Sequence, residues 1–376
     1  MATALDSLIQ SVVRMCGIHR SDNTLNGRTR YLLIKAWGYG FWSDMNHVFG
    51  CLLLAEITGR VPVSHWGNNS LFGDGTNSDA LRLYFEPISP VGIEDLRKSG
   101  DQTFFPGKWS PETLHCENHA KWDGAGSRLS GSYYLRRRET VAVSDFYIHL
   151  PDLVASIPET HPWHGKSVGE VYRRVADKYL KLRLHILEQI DEFHRLQMAG
   201  ATPIIAVHVR GTDKFRERDY ALNLQSYFDI IDRDASTWRI FLLTDQIQCV
   251  RAFSQRYGSR LIFTDAHRSG NRSAVHHDRG ADHVRLGIEV IKDVHLALRC
   301  QKFVGHGLSN PACMVSVLKD WEVGDCTLFD PSLLQRNFAQ RMRRKKKPNR
   351  LATMFDNVAK RVANSGLLKR AARTPR

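Results

Sequence analysis

The stretch from Ile204 to Lys214 limits the fold more than any other. Ile204-Ile205-Ala206-Val207-His208-Val209 is apolar and rich in β-branched residues, as a buried strand is, and Arg210-Gly211-Thr212-Asp213-Lys214 follows at once. In open α/β sheets ligands bind outside the carboxyl ends of the strands, so polar residues gathered where an apolar strand stops stand in the expected place. His208 and Arg210 are two apart and share a face of the strand. Arginine is rarely buried without a partner, and a phosphate suits its planar fork. The face they share therefore points to a cleft that holds an anion; the plain alternative is a solvated turn at a strand end.

From this strand onward the patterns alternate. Strands are expected at Pro203–Val209, Arg239–Leu243, Arg260–Phe263 and Lys302–Val304, and helices near Leu224–Ile231, Ile247–Tyr257, Val284–Leu298 and Pro311–Leu318. Such alternation predicts a parallel, doubly wound sheet. An earlier unit repeats the logic: strand Tyr31–Ile34, the turn Trp37-Gly38-Tyr39-Gly40, a helix over Met45–Ile57 capped by Ser43 or Asp44 and ended by Gly59, then strand Val61–Trp66. Gly38 and Gly40 either turn backbone N–H groups toward an anion or serve only the turn. Between them, Gly67 to Pro162 offers little regular pattern. Its aromatic pairs, Phe104-Phe105 and Tyr133-Tyr134, read either as a sugar-facing surface or as a small satellite core, and Arg136-Arg137-Arg138 as an anion site or a solvated face. Val168 to Met198 reads as one long amphipathic helix joining the two parts. The expected architecture is two α/β domains facing a cleft, residues 1–198 and 199–330, followed by a tail at 331–376.

Charge separates the tail from the body. From Pro331 to Arg376 there are fourteen Lys and Arg against one acid, Asp356, which accounts for +13 of the chain's +14. The body is nearly neutral, so a basic isoelectric point gives no reason to expect a nucleic-acid partner. The tail combines the run Arg341-Met342-Arg343-Arg344-Lys345-Lys346-Lys347 with an apolar stripe through Leu351, Met354, Phe355, Val358, Val362 and Leu367. It fits an anionic membrane surface or a solubilising extension, and binding to RNA is a third option poorly served by Phe355, the one aromatic residue beyond the basic run. Seven scattered cysteines contain no Cys-x-x-Cys pair, and no run of about 18 apolar residues occurs. A cytoplasmic protein is expected, with the tail available to the inner face of the membrane.

Three strands of the second part end in polar sets: His208 to Lys214, Thr244-Asp245, and Gly305-His306-Gly307-Leu308-Ser309-Asn310. Ser309-Asn310-Pro311 also opens a helix, whose N–H groups and the Ser309 hydroxyl suit a phosphate; Ser309 acting only as a cap is the simpler reading. Asp293 lies in Val290–Leu298 on the side of Ile291, Val294 and Leu298. A buried carboxylate needs donors, supplied either by the N1–H and N2–H₂ edge of a guanine or by a nearby arginine. His276-His277-Asp278 and Asp282-His283 cluster possible metal ligands without the spacing of a closed site, and a polar loop over the cleft is expected instead.

These ordered motifs, His-Val-Arg-x-Thr-Asp-Lys, the strand ending Thr-Asp, Val-Ile-x-Asp-Val-His and Phe-Val-x-x-x-x-Ser, resemble the GDP-fucose-dependent fucosyltransferases, in particular the α1,6-fucosyltransferases and the rhizobial nodulation enzymes. The resemblance runs from about Ile204 to Leu318, with a weaker likeness over Tyr31–Trp66. It implies a GT-B-like fold, GDP-fucose as donor, inversion at the anomeric carbon and no metal or other cofactor. It also implies that Arg210 holds the β-phosphate, that His208 and Asp293 meet the guanine, and that Asp245 and Ser309 complete the nucleotide site, to which the helix start adds Asn310. Arg218 stands where the glycan-modifying group carries an acid, so the general base is sought beside it: Glu217 first, Asp219 second, with Lys214 as a charge-setting neighbour. Gly211 stands where that group has a second arginine. The expected activity is an inverting, metal-independent glycosyltransferase acting on an oligosaccharide or glycolipid acceptor; the alternatives are transfer from another nucleotide sugar and non-catalytic nucleotide-sugar or glycan binding.

Overall fold

The computed structural model describes residues 24–25, 28–98, 100, 102–118, 131–211, 223–271, 273–278, 280–330, 332 and 334. A short hairpin (β1, Thr24–Leu25; β2, Arg28–Thr29) leads into β3 (Tyr31–Lys35), helix α1 (Phe41–Thr58) and β4 (Val61–His65). After α2 (Ile93–Lys98) come β5 (Phe104–Phe105) and β6 (Val141–Val143), and the four longer-range strands form a parallel sheet in the order β4-β3-β6-β5. Helix α1 starts earlier than its periodicity predicts. Gly40 is the N-cap, and Asp44 sits inside the first turn with its carboxylate folded back on the preceding turn. Its end is as expected: Gly59 adopts a left-handed conformation, with φ of 61°, that suits glycine. The helix is buried nearly all round, and a Cβ on Gly50 would lie 2.4 Å from the Ile148 carbonyl oxygen, so glycine there permits close backbone packing.

The expected single helix over 168–198 is two. Helix α3 (Val168–Tyr179) opens with a capping box between Ser167 and Glu170, and α4 (Leu184–Phe193) ends in a π-helical turn at His194–Met198. No glycine or proline causes the break. Leu182 pairs with Phe85, while Glu86 N–H donates to the Lys181 carbonyl at 2.7 Å and Arg183 N–H to that of Tyr84 at 2.9 Å. Tertiary strand pairing overrides a helical pattern here.

The second sheet contains β7 (Ile204–Val209), β8 (Arg239–Thr244), β9 (Leu261–Ile262), β10 (Lys302–Gly305) and β11 (Cys326–Leu328), all parallel, in the order β11-β10-β7-β8-β9. Its helices are α5 (Leu224–Asp234), α6 (Ile247–Tyr257), α7 (His283–Leu298) and α8 (Asn310–Leu318). The chain runs outward from β7 through β8 to β9 and then crosses back to β10. The direction of winding therefore reverses between β7 and β10, which opens a crevice at their carboxyl ends. One hydrophobic core joins residues of α1, α3, α4, α7 and α8 across both sheets, and the Trp42 indole N–H donates to the Val290 carbonyl at 3.2 Å. No described helix is long and apolar enough to cross a membrane.

Candidate nucleotide site

Each polar set sits at the carboxyl end of its strand because the apolar run before it fills the sheet. Strand β7 is buried throughout, His208 included, which is 6% exposed. Its Nδ1 is shielded from water and has no hydrogen-bond partner in another of the described residues. Burial holds the ring's pKa down to about 4; Asp245 opposes this, while Arg210 and His306 add to it. The imidazole is therefore neutral at ordinary pH and carries an unspent polar atom at the crevice.

Arg210 follows at the end of β7, its Nε 3.7 Å from Asp245 Oδ2. The other Asp245 oxygen accepts the Gly211 N–H at 2.9 Å. Asp245 thus ties the end of β8 to the end of β7 and sets where the guanidinium lies. Gly211 is packed against Gln246: a Cβ at position 211 would lie 2.0 Å from Gln246 Oε1 and 2.8 Å from its Cβ. The pattern alone gives no sign of Gln246, because a glutamine after a strand end reads as solvated.

Across the crevice, the β10 turn brings Ser309 to the start of α8. Ser309 is fully buried and is the N-cap by backbone geometry, yet its hydroxyl caps nothing and has no partner among the described residues. Asn310 is the first helical residue, followed by Pro311. His306, part of the same polar strand end but given no role by the sequence, is buried beside Asp330 at 3.5 Å, with its pKa lowered by burial.

Asp293 is buried on the inner side of α7, as its spacing predicts. Its Oδ1 accepts the Thr264 hydroxyl at 2.7 Å. Burial raises the carboxyl to about 6, against the pull of Thr264 and of the Arg268 charge. Arg268 spends its terminal nitrogens on the Ala266 and Thr264 carbonyls at 2.8 Å, and its buried Nε has no partner. Asp293 forms no ion pair among the described residues, although Arg268 stands near enough for its charge to act on the carboxyl.

The glycine turn is built differently from an open anion cradle. The N–H groups of Trp37, Gly38 and Tyr39 all point at the Asp44 carboxylate, at 3.2, 3.0 and 3.4 Å to Oδ2. Gly38 has a positive φ of 69°, and Gly40 faces the second half, where a Cβ would stand 3.8 Å from the His276 ring. The polar loop is likewise engaged: Asp282 caps α7 through the Arg285 N–H at 3.0 Å, and His283 Nδ1 lies 2.7 Å from the Leu71 carbonyl oxygen. Among the described residues no three such side chains converge as a metal site. The pair Phe105 and Tyr134 packs edge to face at 5.2 Å, with Arg137 laid over Phe105 at 4.1 Å; Tyr134 belongs to the main core and Phe105 packs against it, and of the four aromatics Tyr133 alone is well exposed. Lys214, Glu217 and Asp219 lie outside the described residues, as does the tail apart from Ser332 and Leu334.

No family model and no characterised relative matches the chain by sequence. Solved structures do match. NodZ α-1,6-fucosyltransferase soaked with GDP-fucose aligns with a TM-score of 0.52 at 20% identity, over 77% of this chain and 92% of that one. The fucosyltransferase NodZ from Bradyrhizobium gives 0.51 at 20% identity, over 77% and 93%. A variant of Arabidopsis thaliana FUT1 in complex with GDP gives 0.50 at 10% identity, over 89% and 80%. The chain has the GT-B-like α/β fold of these proteins.

Proposed function

We propose that this chain is a glycosyltransferase that moves fucose from GDP-fucose to a hydroxyl of an oligosaccharide or glycolipid acceptor, with inversion and without a metal ion. The observation that supports this most is the pair of unpartnered buried polar atoms, His208 Nδ1 and Ser309 Oγ, on either side of the β7–β10 switch point next to Arg210. Buried polar groups are nearly always satisfied, so two left over at a ligand crevice call for a ligand that satisfies them. A nucleoside diphosphate does so. In this reading Arg210 and the amino end of α8, with Ser309 and Asn310, neutralise the diphosphate as the sugar–oxygen bond breaks, the electrostatic role otherwise given to a metal. Asp293 accepts from the guanine edge beside His208, Asp245 holds Arg210 in place, and the Gly38–Gly40 turn closes the crevice from the first half.

Transfer requires that the acceptor hydroxyl lose its proton as its oxygen bonds to the anomeric carbon and GDP departs with the electrons of the broken bond. Glu217, or Asp219 in its place, takes that proton, and Lys214 sets the local charge. The division at residues 198 and 199 and a tail from 331 resting on an anionic membrane at the cytoplasmic face complete the proposal.

The test is turnover of GDP-fucose with a panel of oligosaccharides in wild type, Glu217→Gln and Asp219→Asn. Release of GDP by wild type, with a fall of about 10²–10⁴-fold in one variant and GDP affinity unchanged, supports the assignment. GDP binding without turnover in all three would instead make the chain a non-catalytic nucleotide-sugar-binding protein.

A further inference from the structure

A second cavity, of about 350 Å³, opens at the carboxyl end of β4, the edge strand of the first sheet. Its size falls within the range of about 300–1,000 Å³ usual for small-ligand pockets. His65, the last residue of β4, lines it and is 2% exposed; its Nε2 is shielded from water, with the Asn77 side chain as its neighbour. Burial, then the Lys35 and His115 charges, keep this ring's pKa down to about 3, so it is neutral. The Arg82 guanidinium is exposed at the same cavity and makes no hydrogen bond among the described residues.

The carboxylates here are of two kinds. Asp79 is saturated by the Ser64 hydroxyl at 2.5 Å and the Trp66 and Leu81 N–H groups at 2.9 and 3.3 Å, so it shapes the wall and is not free to bind. Glu94 is exposed and is oriented by His115 at 2.9 Å and by Arg97 at 2.9 Å. A phosphate entering toward Arg82 would meet both carboxylates, and a cation would meet Arg82. What suits a wall with opposed charges, a neutral imidazole and the apolar surface of Ile88 is an uncharged group with hydroxyl donors and acceptors on its edge and C–H bonds on its face.

We infer that this cavity is a binding site for a neutral pyranose ring. Lys35, the register partner of His65, ends β3 just before the Gly38–Gly40 turn, so the cavity sits one strand away from the turn that faces the second half. That it holds one sugar of the acceptor rests on the transferase proposal; that it binds a sugar does not.

Saturation-transfer NMR of the full chain with methyl glycosides of glucose, galactose, mannose and N-acetylglucosamine, and with their disaccharides, tests this without donor or turnover. Binding of at least one of them to wild type is expected, weakened tenfold or more in both Arg82→Ala and Glu94→Gln, with GDP affinity unchanged in the same preparations. Both side chains are exposed, so the fold survives the changes. If no sugar in the panel binds, if binding is indifferent to both substitutions, or if inorganic phosphate occupies the Arg82 site in preference, the inference is overturned. Sugar binding in a protein that ignores GDP would leave the cavity assigned and remove the transferase proposal instead.

Discussion

Replacing Asp293 with asparagine should weaken nucleotide binding and strengthen the fold at once. The carboxyl is raised from 3.8 to about 6 because it is buried. A raised folded-state value means that the folded chain keeps a proton which the unfolded chain has released between about pH 4 and pH 6. The group's contribution to stability is therefore complete below the unfolded value and is lost as pH rises through about 6. At pH 7.5 the buried carboxylate costs the free protein on the order of 2–3 kcal/mol. The amide that replaces it would keep an acceptor for the Thr264 hydroxyl and carry no charge, so Asp293→Asn should raise the melting temperature by a few degrees at pH 7.5 and have little effect at pH 4. Binding should move the other way. If the ionised carboxylate accepts from a guanine edge, GDP affinity falls about tenfold between pH 7 and pH 5 and is about 10–100-fold lower in Asp293→Asn. The terminal phosphate of GDP also titrates near pH 6, so the informative quantity is the difference in pH slope between wild type and variant, measured by calorimetry. Equal slopes, or a variant less stable at pH 7.5 that binds GDP normally, would refute the assignment of Asp293 to the base.

Other residues give sharper but narrower expectations. Arg210→Ala should lose the diphosphate, and Arg210→Lys should recover only part of the affinity because a point charge does not reproduce the planar fork; titration with GDP reads both. Ser309→Ala should weaken GDP by roughly 3–10-fold with little effect on stability, since its hydroxyl makes no bond among the described residues. Gly211→Ala should cost about 1–3 kcal/mol in denaturant unfolding, and Gln246→Ala in the same chain should restore most of it, because the added methyl meets Gln246 itself. His47, fully enclosed by α1 and the β6 turn, is held to about 3 by burial. Its contribution to stability is complete above pH 6.5 and is lost as pH falls toward 3, so acid unfolding followed by circular dichroism should be less steep in His47→Asn.

Most of the second half is legible in the sequence because its strands and helices obey two clear periods. The helix at Ile247–Tyr257 agrees to the residue, and the three polar strand ends lie along one sheet edge as expected. The failures have physical causes. Strands β5, β6 and β11 are two or three residues long, too short to show alternation, and exist through their neighbours. The break between α3 and α4 comes from pairing with Phe85, more than ninety residues earlier in the chain, which no local window contains. The cap of α1 is misplaced by pattern alone because Asp44 looks like a cap and instead serves the turn before the helix. At the site, Arg268, Thr264 and Gln246 escape a sequence reading since their positions follow from loop paths rather than from any repeat.

The most direct measurement is calorimetric titration of the purified chain with GDP, UDP and ADP, with Arg210→Ala beside it. Binding of GDP at least tenfold tighter than UDP or ADP, abolished by Arg210→Ala, is the predicted result. Equal binding of the three, or binding of none, would contradict a guanine-nucleotide donor site at the β7–β10 switch point.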